Sequence, residues 1–164
     1  MKSIFILIWS LNLVFNSNME SKIKKVSFDE FEPWLHRTDE TIYVINFWAT
    51  WCKPCIEELP AFEEINKTYR NKNIKVLLVS LDFPGQMDSS LIPFIEKHQI
   101  SSDVILLDDP NSNDWINKVN PDWTGAIPAT IIYYKDERIF NEGGLTFDYL
   151  NDKIQYFLNK QNHE

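Results

Sequence analysis

The sequence has very few of the side chains that hold metal ions through sulfur or nitrogen. In 164 residues there are two cysteines, Cys52 and Cys55, and three histidines. A structural zinc site takes four such ligands. The two cysteines supply half of that set, and the histidines His36, His98 and His163 stand far apart without ligand spacing. We therefore expect no metal site and no cofactor.

The chain also lacks an excess of basic residues. It carries 16 lysines and arginines against 24 aspartates and glutamates, which gives a formal net charge of −8. Such a chain has no basic surface field to attract phosphates, so we expect no nucleic-acid partner. A hydrophobic content of 44% excludes a disordered chain, and the length suits one domain with a full core.

No apolar run in the sequence reaches the roughly 20 residues of a comfortable membrane helix. A short apolar segment does follow Lys2, with about a dozen mostly apolar residues between Ile4 and Phe15. A positive start followed by a segment of this length is typical of an export signal. The residues that follow, Asn16-Ser17-Asn18, lack a clear small-x-small cleavage pattern.

Three interpretations of this leader stay open. It is a cleaved signal, an uncleaved anchor that associates the N-terminus with a membrane, or a non-native leader before a true start at Met19. We expect residues 1–19 to form the leader and residues 20–164 to form the folded domain. The expected location is outside the cytoplasm, either free in the periplasm or anchored and facing it. A start at Met19 would make the protein cytoplasmic.

Strand-like and helix-like patterns alternate after the leader. Near-continuous apolar runs are typical of buried central strands, and apolar residues at three- and four-residue steps indicate helices. The lead-in 20–40 predicts two short helices, the first with a Ser27–Glu30 capping box; Ser90 and Thr146 are predicted caps of later helices. Strands are predicted at 41–47, 74–81, 104–107, 129–134 and 138–140, and helices at 52–70, 90–98, 114–119 and from 147 onward. This order predicts an α/β fold with a central mixed β-sheet flanked by helices on both faces.

The cysteine pair lies where a predicted strand gives way to a predicted helix. Disulfide exchange needs one thiolate to attack and a second thiol to resolve the mixed disulfide. Cys52 would lie at the helix start, where the helix dipole favours the anionic form, and Cys55 would lie one turn inside. We assign Cys52 as nucleophile and Cys55 as resolver. Pro54 stiffens the turn, and Lys53 adds a positive charge.

The run Trp51-Cys52-Lys53-Pro54-Cys55, together with Glu58-Leu59-Pro60 and Ile127-Pro128, resembles the thioredoxin superfamily. Within it, the chain is similar to the TlpA/ResA-like group of exported thiol–disulfide oxidoreductases, over roughly residues 26–160. The resemblance implies a thioredoxin-like fold. It also implies that Pro128 is a cis-proline facing the cysteines, and that Ile127 presents backbone groups to a substrate segment.

The resemblance gives Glu58 a role in tuning the ionisation of the cysteines. The competing interpretation is a solvated glutamate on the helix surface. Asn46 stands where ordinary thioredoxin carries a buried aspartate, and we expect it to be a buried amide with its hydrogen bonds made. Since asparagine cannot take up a proton, Glu58 or water is the better candidate for a base that assists Cys55.

Taken with the resemblance, these residues predict a monomeric enzyme that reduces disulfides of partner proteins and is recharged by an external electron donor. The direction of electron flow stays open. Two alternatives remain: a binding module with a structural disulfide, and a peroxide-reducing thiol enzyme. The loop from Asp108 to Gly125 forms either one wall of the site or, through Trp123, part of the core.

Overall fold

The computed structural model describes residues 23–162. The predicted leader (1–19) and His163 lie outside the described residues. The described part of the chain contains six strands and five α-helices. They are β1 (Lys24–Val26), α1 (Phe28–Phe31), β2 (Ile42–Trp48), α2 (Lys53–Thr68), β3 (Ile74–Ser80), α3 (Ile92–His98), β4 (Asp103–Leu107), α4 (Ser112–Val119), β5 (Ala129–Tyr134), β6 (Glu137–Glu142) and α5 (Phe147–Gln161).

The strands form one mixed sheet in the order β1-β4-β3-β2-β5-β6. The first four strands of that order are parallel, and β5 and β6 are each antiparallel to their neighbour. The predicted mixed α/β sheet, with its closing hairpin, is therefore confirmed. Because β2 and β3 are parallel and pair Trp48 with Ser80, the loops that follow these two strands leave the same edge of the sheet.

Alternate residues of β2 enter two different cores. Ile42, Val44 and Trp48 pack in one cluster with side chains of α2 and α5, while Tyr43, Ile45 and Phe47 pack in a second cluster with α1 and α4. This period of two is the geometry of a strand covered on both faces. Asn46 shares the parity of Val44 and Trp48, so its polar side chain enters the α2 side of the core.

The second core is rich in aromatic rings around Trp123. Its ring lies 4.7 Å from that of Phe47 and 5.8 Å from that of Trp115, centroid to centroid. Its indole N–H donates to the carbonyl oxygen of Ala126 at 2.8 Å. Trp123 therefore packs as a core residue, and its hydrogen bond to Ala126 ties the loop before β5 to that core.

The structure corrects three predictions of secondary structure. The lead-in contains a strand, β1, which pairs with β4, in addition to two short helices, α1 and a 3₁₀ helix at Glu32–Leu35. A π-helix at Met87–Leu91 precedes α3, so Ser90 lies inside a helical segment and caps nothing. The helix predicted to start at Asp114 starts at Ser112. The caps at Ser27 and Thr146 are confirmed by hydrogen bonds to Glu30 and Tyr149.

Among residues 23–162, every helix is too short or too polar to pass through a lipid bilayer.

Candidate active site

Cys52 is itself the residue that caps α2. Its backbone is extended, and its sulfur accepts the backbone N–H of Cys55 at 3.3 Å. The first N–H groups of a helix have no partner within the helix and attract negative charge. The sulfur thus occupies the position at which a helix best stabilises an anion. Cys52 and Cys55 are joined as a disulfide, with their Cα atoms 5.3 Å apart.

The two sulfurs differ in access, although both residues are largely buried. Cys52 keeps 6% of its surface exposed, and Cys55 keeps none. The carbonyl oxygen of Ile127 lies 3.7 Å from the Cys52 sulfur, and the Ile127–Pro128 peptide bond is cis. The cis geometry expected from the resemblance is therefore present. The roles assigned to these four residues in catalysis and substrate binding stay predictions.

The residues that flank Cys52 lie mostly in solvent. Trp51 is 57% exposed although it is a large aromatic residue, and Pro54 occupies the first turn of α2 as expected. Lys53 pairs with Glu57 at 3.7 Å, and both side chains are mainly exposed. An ion pair in water contributes little energy, so Lys53 adds only a screened positive charge near Cys52.

Glu58 is buried, which excludes the solvated surface glutamate of the competing interpretation. It keeps 5% of its surface exposed. Oε1 accepts from the Asn46 side chain at 2.7 Å, and Oε2 accepts from the backbone N–H of Leu145 at 2.7 Å. Burial outweighs these two hydrogen bonds and raises the pKa of the Glu58 carboxyl to about 7. The site thus contains a carboxyl group that changes charge near neutral pH.

Asn46 holds Glu58 in place but is only partly satisfied itself. Its Nδ2 donates both to Glu58 and, at 3.0 Å, to the hydroxyl of Thr130. Its Oδ1 is buried and has no hydrogen-bond partner in the described structure, so the expectation of a fully satisfied amide is wrong. Asn46, Glu58, Thr130 and Leu145 connect β2, α2, β5 and the segment before α5 in one buried polar network.

Asp82 is a site residue that the sequence did not reveal. It is 2% exposed and accepts from Thr50 twice: from the hydroxyl at 2.5 Å and from the backbone N–H at 3.1 and 3.2 Å. The Ser80 hydroxyl also donates to it, at 2.8 Å. Since Thr50 lies two residues before Cys52, Asp82 fastens the turn that leads to Cys52 to the end of β3.

The donor set of the site does not resemble a metal centre. Within the part of the chain that the structure describes, no group of three or more histidine, cysteine, aspartate or glutamate side chains is arranged so that it could hold a metal ion. The arrangement instead provides two sulfurs at a helix start, a carboxyl group with a pKa near neutrality, and a backbone carbonyl beside the outer sulfur.

We predict that Asp82→Ala lowers the free energy of unfolding by about 2 kcal/mol, because three donors from Thr50 and Ser80 lose a charged acceptor. Urea unfolding of the oxidised proteins at one pH measures this loss. Asp88→Ala, at an exposed position in the following helical segment, is the matched control. Equal stabilities of the two variants would show that Asp82 does not hold the turn.

We predict that Glu58 makes stability depend on pH. Its folded pKa of about 7 lies above the ordinary 4.5, so the folded protein binds the proton more tightly than the unfolded chain. The raised pKa therefore adds fully to the free energy of unfolding below pH 4.5, and this addition is lost as pH rises through 7. The loss amounts to about 3 kcal/mol.

Glu58→Gln keeps the shape of the protonated acid and removes the titration. The stability of the wild type relative to this variant should fall between pH 4.5 and pH 8, measured by urea unfolding with both proteins oxidised so that the cysteines do not titrate. Parallel pH profiles would contradict the raised pKa.

Named proteins share parts of this sequence and its fold. The thioredoxin-like protein YneN of Bacillus subtilis is 32% identical over 63 residues, which cover 38% of this chain and 36% of that protein. The thiol–disulfide oxidoreductase ResA of Geobacillus kaustophilus is 26% identical over 95 residues, which cover 58% of this chain and 49% of ResA. The matches thus span half or less of these relatives.

A solved structure supports the fold. The structure of a secreted disulfide oxidoreductase of Mycobacterium tuberculosis, described as homologous to E. coli DsbE, superposes with a TM-score of 0.54 at 19% identity. The superposition covers 73% of this chain and 84% of that one. The thioredoxin-like fold and the predicted likeness to ResA are confirmed. The family model described as AhpC/TSA family matches residues 15–142, so the chain belongs to the AhpC/TSA family of thioredoxin-like proteins.

Proposed function

We propose that this protein is a thiol–disulfide oxidoreductase that reduces disulfides of partner proteins outside the cytoplasm. One observation carries the proposal: the sulfur of Cys52 is the N-cap of α2 and accepts the N–H of Cys55 at 3.3 Å. A helix start lowers the pKa of a thiol that caps it, because the thiolate accepts the hydrogen bond more strongly than the thiol. The more exposed sulfur is thus the better nucleophile.

The reaction proceeds in two exchanges. The Cys52 thiolate attacks one sulfur of the substrate disulfide, so a Cys52–substrate disulfide forms and the other substrate sulfur leaves as a thiolate. Cys55 then loses its proton and attacks the Cys52 sulfur, so the Cys52–Cys55 disulfide forms and the second substrate thiolate leaves. Two electrons pass to the substrate, and each leaving thiolate takes a proton. An external thiol donor restores the reduced pair.

Glu58 supplies the proton chemistry of the second exchange. It follows Cys55 by one helical turn, and at neutral pH its carboxyl populates both charge states because its pKa is raised to about 7. The ionised form accepts the Cys55 proton, through water or directly. Asn46 cannot exchange a proton in this range, and its hydrogen bond fixes the position of the Glu58 carboxylate.

The proposed compartment rests on the N-terminal sequence. A charged start followed by about a dozen mostly apolar residues is typical of export. An oxidising compartment would drive the pair towards its disulfide, so a protein that works there as a reductant needs an electron donor.

We predict that Cys52→Ser abolishes the reduction of protein disulfides, because the attacking sulfur is gone. Cys55→Ser should retain the first exchange and accumulate a mixed disulfide with its substrate, visible by intact mass and lost on treatment with a thiol. Hydrogen peroxide consumption, measured in parallel on the same proteins, distinguishes the peroxide-reducing alternative from disulfide reduction. Turnover by Cys52→Ser, or no mixed disulfide with Cys55→Ser, would refute the assigned roles and favour a structural disulfide.

We predict that Glu58→Gln shifts the pH profile of Cys52 alkylation in the reduced protein. Without the negative charge of the carboxylate, the thiolate forms more easily, so the midpoint should move about half a pH unit lower. Alkylation rates from pH 5 to 9, localised to Cys52 by peptide mass, test this expectation. Glu64→Gln, at an exposed position further along α2, should behave as wild type. A midpoint shared by all three proteins would remove Glu58 from the proposed mechanism.

A further inference from the structure

A cleft opens at the same edge of the sheet as Cys52. It has a volume of about 520 Å³, within the range of ligand-binding clefts. Its walls come from the loops after β3 and β4, from α4, and from the loop before β5. The lining is mainly apolar, with Leu81, Pro84, Leu107, Trp115, Ile116 and Trp123.

Two short connections place this cleft beside the nucleophile. Asp82 lines the cleft and holds Thr50, which lies two residues before Cys52. Gly125 lines the cleft from the other side, two residues before Ile127, whose carbonyl oxygen lies 3.7 Å from the Cys52 sulfur. Because two extended residues span at most about 7 Å, a substrate bound at Cys52 reaches the cleft within a few residues.

Exposed aromatic rings mark this edge of the sheet. The large hydrophobic side chains that stay exposed in the described part of the chain are Trp51, Phe83 and Tyr156. Trp51 follows β2 and Phe83 follows β3, so two of these three rings leave the sheet at the edge that carries Cys52. Phe83 lines the cleft with 63% of its surface exposed. An uncovered ring at the mouth of an apolar cleft has surface to bury on binding.

The charges of the cleft have one sign. Asp82, Asp108 and Asp109 are among its lining residues, whereas lysine, arginine and histidine are absent from that lining. Lys25 pairs with Asp108 at 3.1 Å from outside. In the described part of the chain, Asp109 accepts hydrogen bonds from the backbone N–H groups of Phe28 at 3.4 Å and of Asn111 at 3.0 Å. Lys118 lines a neighbouring pocket with Asp109 but does not line the cleft, so the charge of the cleft lining stays negative.

We infer that this cleft is a specificity subsite for the substrate protein, an inference that rests on the proposed function. It binds a segment in which an aromatic or large aliphatic side chain and a neighbouring lysine or arginine lie about two to four residues from the reactive cysteine. The apolar side chain packs between Phe83 and the α4 wall, and the cation faces Asp109. Recognition is separate from the exchange itself, which Cys52 performs.

Short synthetic peptides test the subsite on the full-length chain carrying Cys55→Ser. Each peptide has one cysteine as a mixed disulfide with pyridine-2-thiol, and Phe or Ser combined with Lys or Glu near it on either side. The Cys52 thiolate attacks the peptide sulfur, the Cys52–peptide disulfide forms, and pyridine-2-thiolate leaves as the coloured product. Dithiodipyridine, which has no peptide, reports the exchange chemistry alone.

We expect the Phe–Lys peptide to react about tenfold faster than the Ser–Glu peptide on at least one side of the cysteine. Phe83→Ala should reduce the preference for Phe. We also expect a preference of about threefold for Lys over Glu, which weakens with added salt. Asp109→Asn should reduce this preference. Tyr156→Ala, which removes an exposed ring on α5, is the matched control and should leave both preferences unchanged.

Equal peptide rates together with rapid reaction of dithiodipyridine would overturn the subsite and leave the proposed function standing. Preferences that survive in both Phe83→Ala and Asp109→Asn would also overturn it, since recognition would then lie elsewhere. Failure of dithiodipyridine to react with Cys52 would refute the proposed function and the subsite with it.

Discussion

The hydrogen bond from the backbone N–H of Cys55 to the sulfur of Cys52 is the contact on which the rest of the site depends. A helix begins with N–H groups that need an acceptor, and serine, threonine, aspartate or asparagine usually provides it. Here the acceptor is a sulfur. The residue that starts the helix is therefore also the proposed nucleophile, so folding of α2 and the proposed activation of Cys52 share one bond.

The surroundings of that bond explain why it forms at this point of the chain. The buried strand β2 delivers the chain to the edge of the sheet, and Asp82 fixes Thr50 in the turn that follows. Beneath the turn, Asn46 and Glu58 form a buried polar pair, joined by Thr130, next to an apolar cluster. This pair costs folding free energy, since the amide oxygen of Asn46 stays unpaired and the carboxylate of Glu58 is desolvated. Departures from good core packing are expected where a protein performs chemistry.

The sequence predicted most of this fold because its long elements have strong periodicity. The near-continuous apolar run of β2 and the three- and four-residue steps of α2 each point to one structure. The three-residue strand β1 is too short for a pattern and exists through its pairing with β4. The predicted cap at Ser90 is wrong because a serine before a proline-containing helix has the pattern of a cap, whereas a π-helix already begins at Met87.

Within the site, the sequence places residues relative to one another where a single element carries them. The cysteines and Glu58 lie at the start of one helix, and the three-residue spacing puts Glu58 one turn beyond Cys55. That spacing left open whether Glu58 is buried or solvated, because its partners Asn46 and Leu145 come from other elements. Asp82 could not be found in this way, because its partner Thr50 lies 32 positions away and meets it only through the pairing of β2 with β3. The missing partner of the Asn46 side-chain oxygen could not be predicted either, because it depends on how α2, β5 and the segment before α5 pack around Asn46.

The parallel strands explain why the proposed reactivity and the proposed recognition lie together. The carboxyl ends of neighbouring parallel strands meet at one edge of a sheet, so each added parallel strand adds a loop on the same edge as Cys52. β4, placed between β1 and β3, contributes the loop with Asp108 and Asp109 and leads into α4. The strand that joins β1 to the rest of the sheet thus also leads into a wall of the cleft. Asp82 belongs both to the cleft, which it lines, and to the cysteine site, because it holds the turn before Cys52.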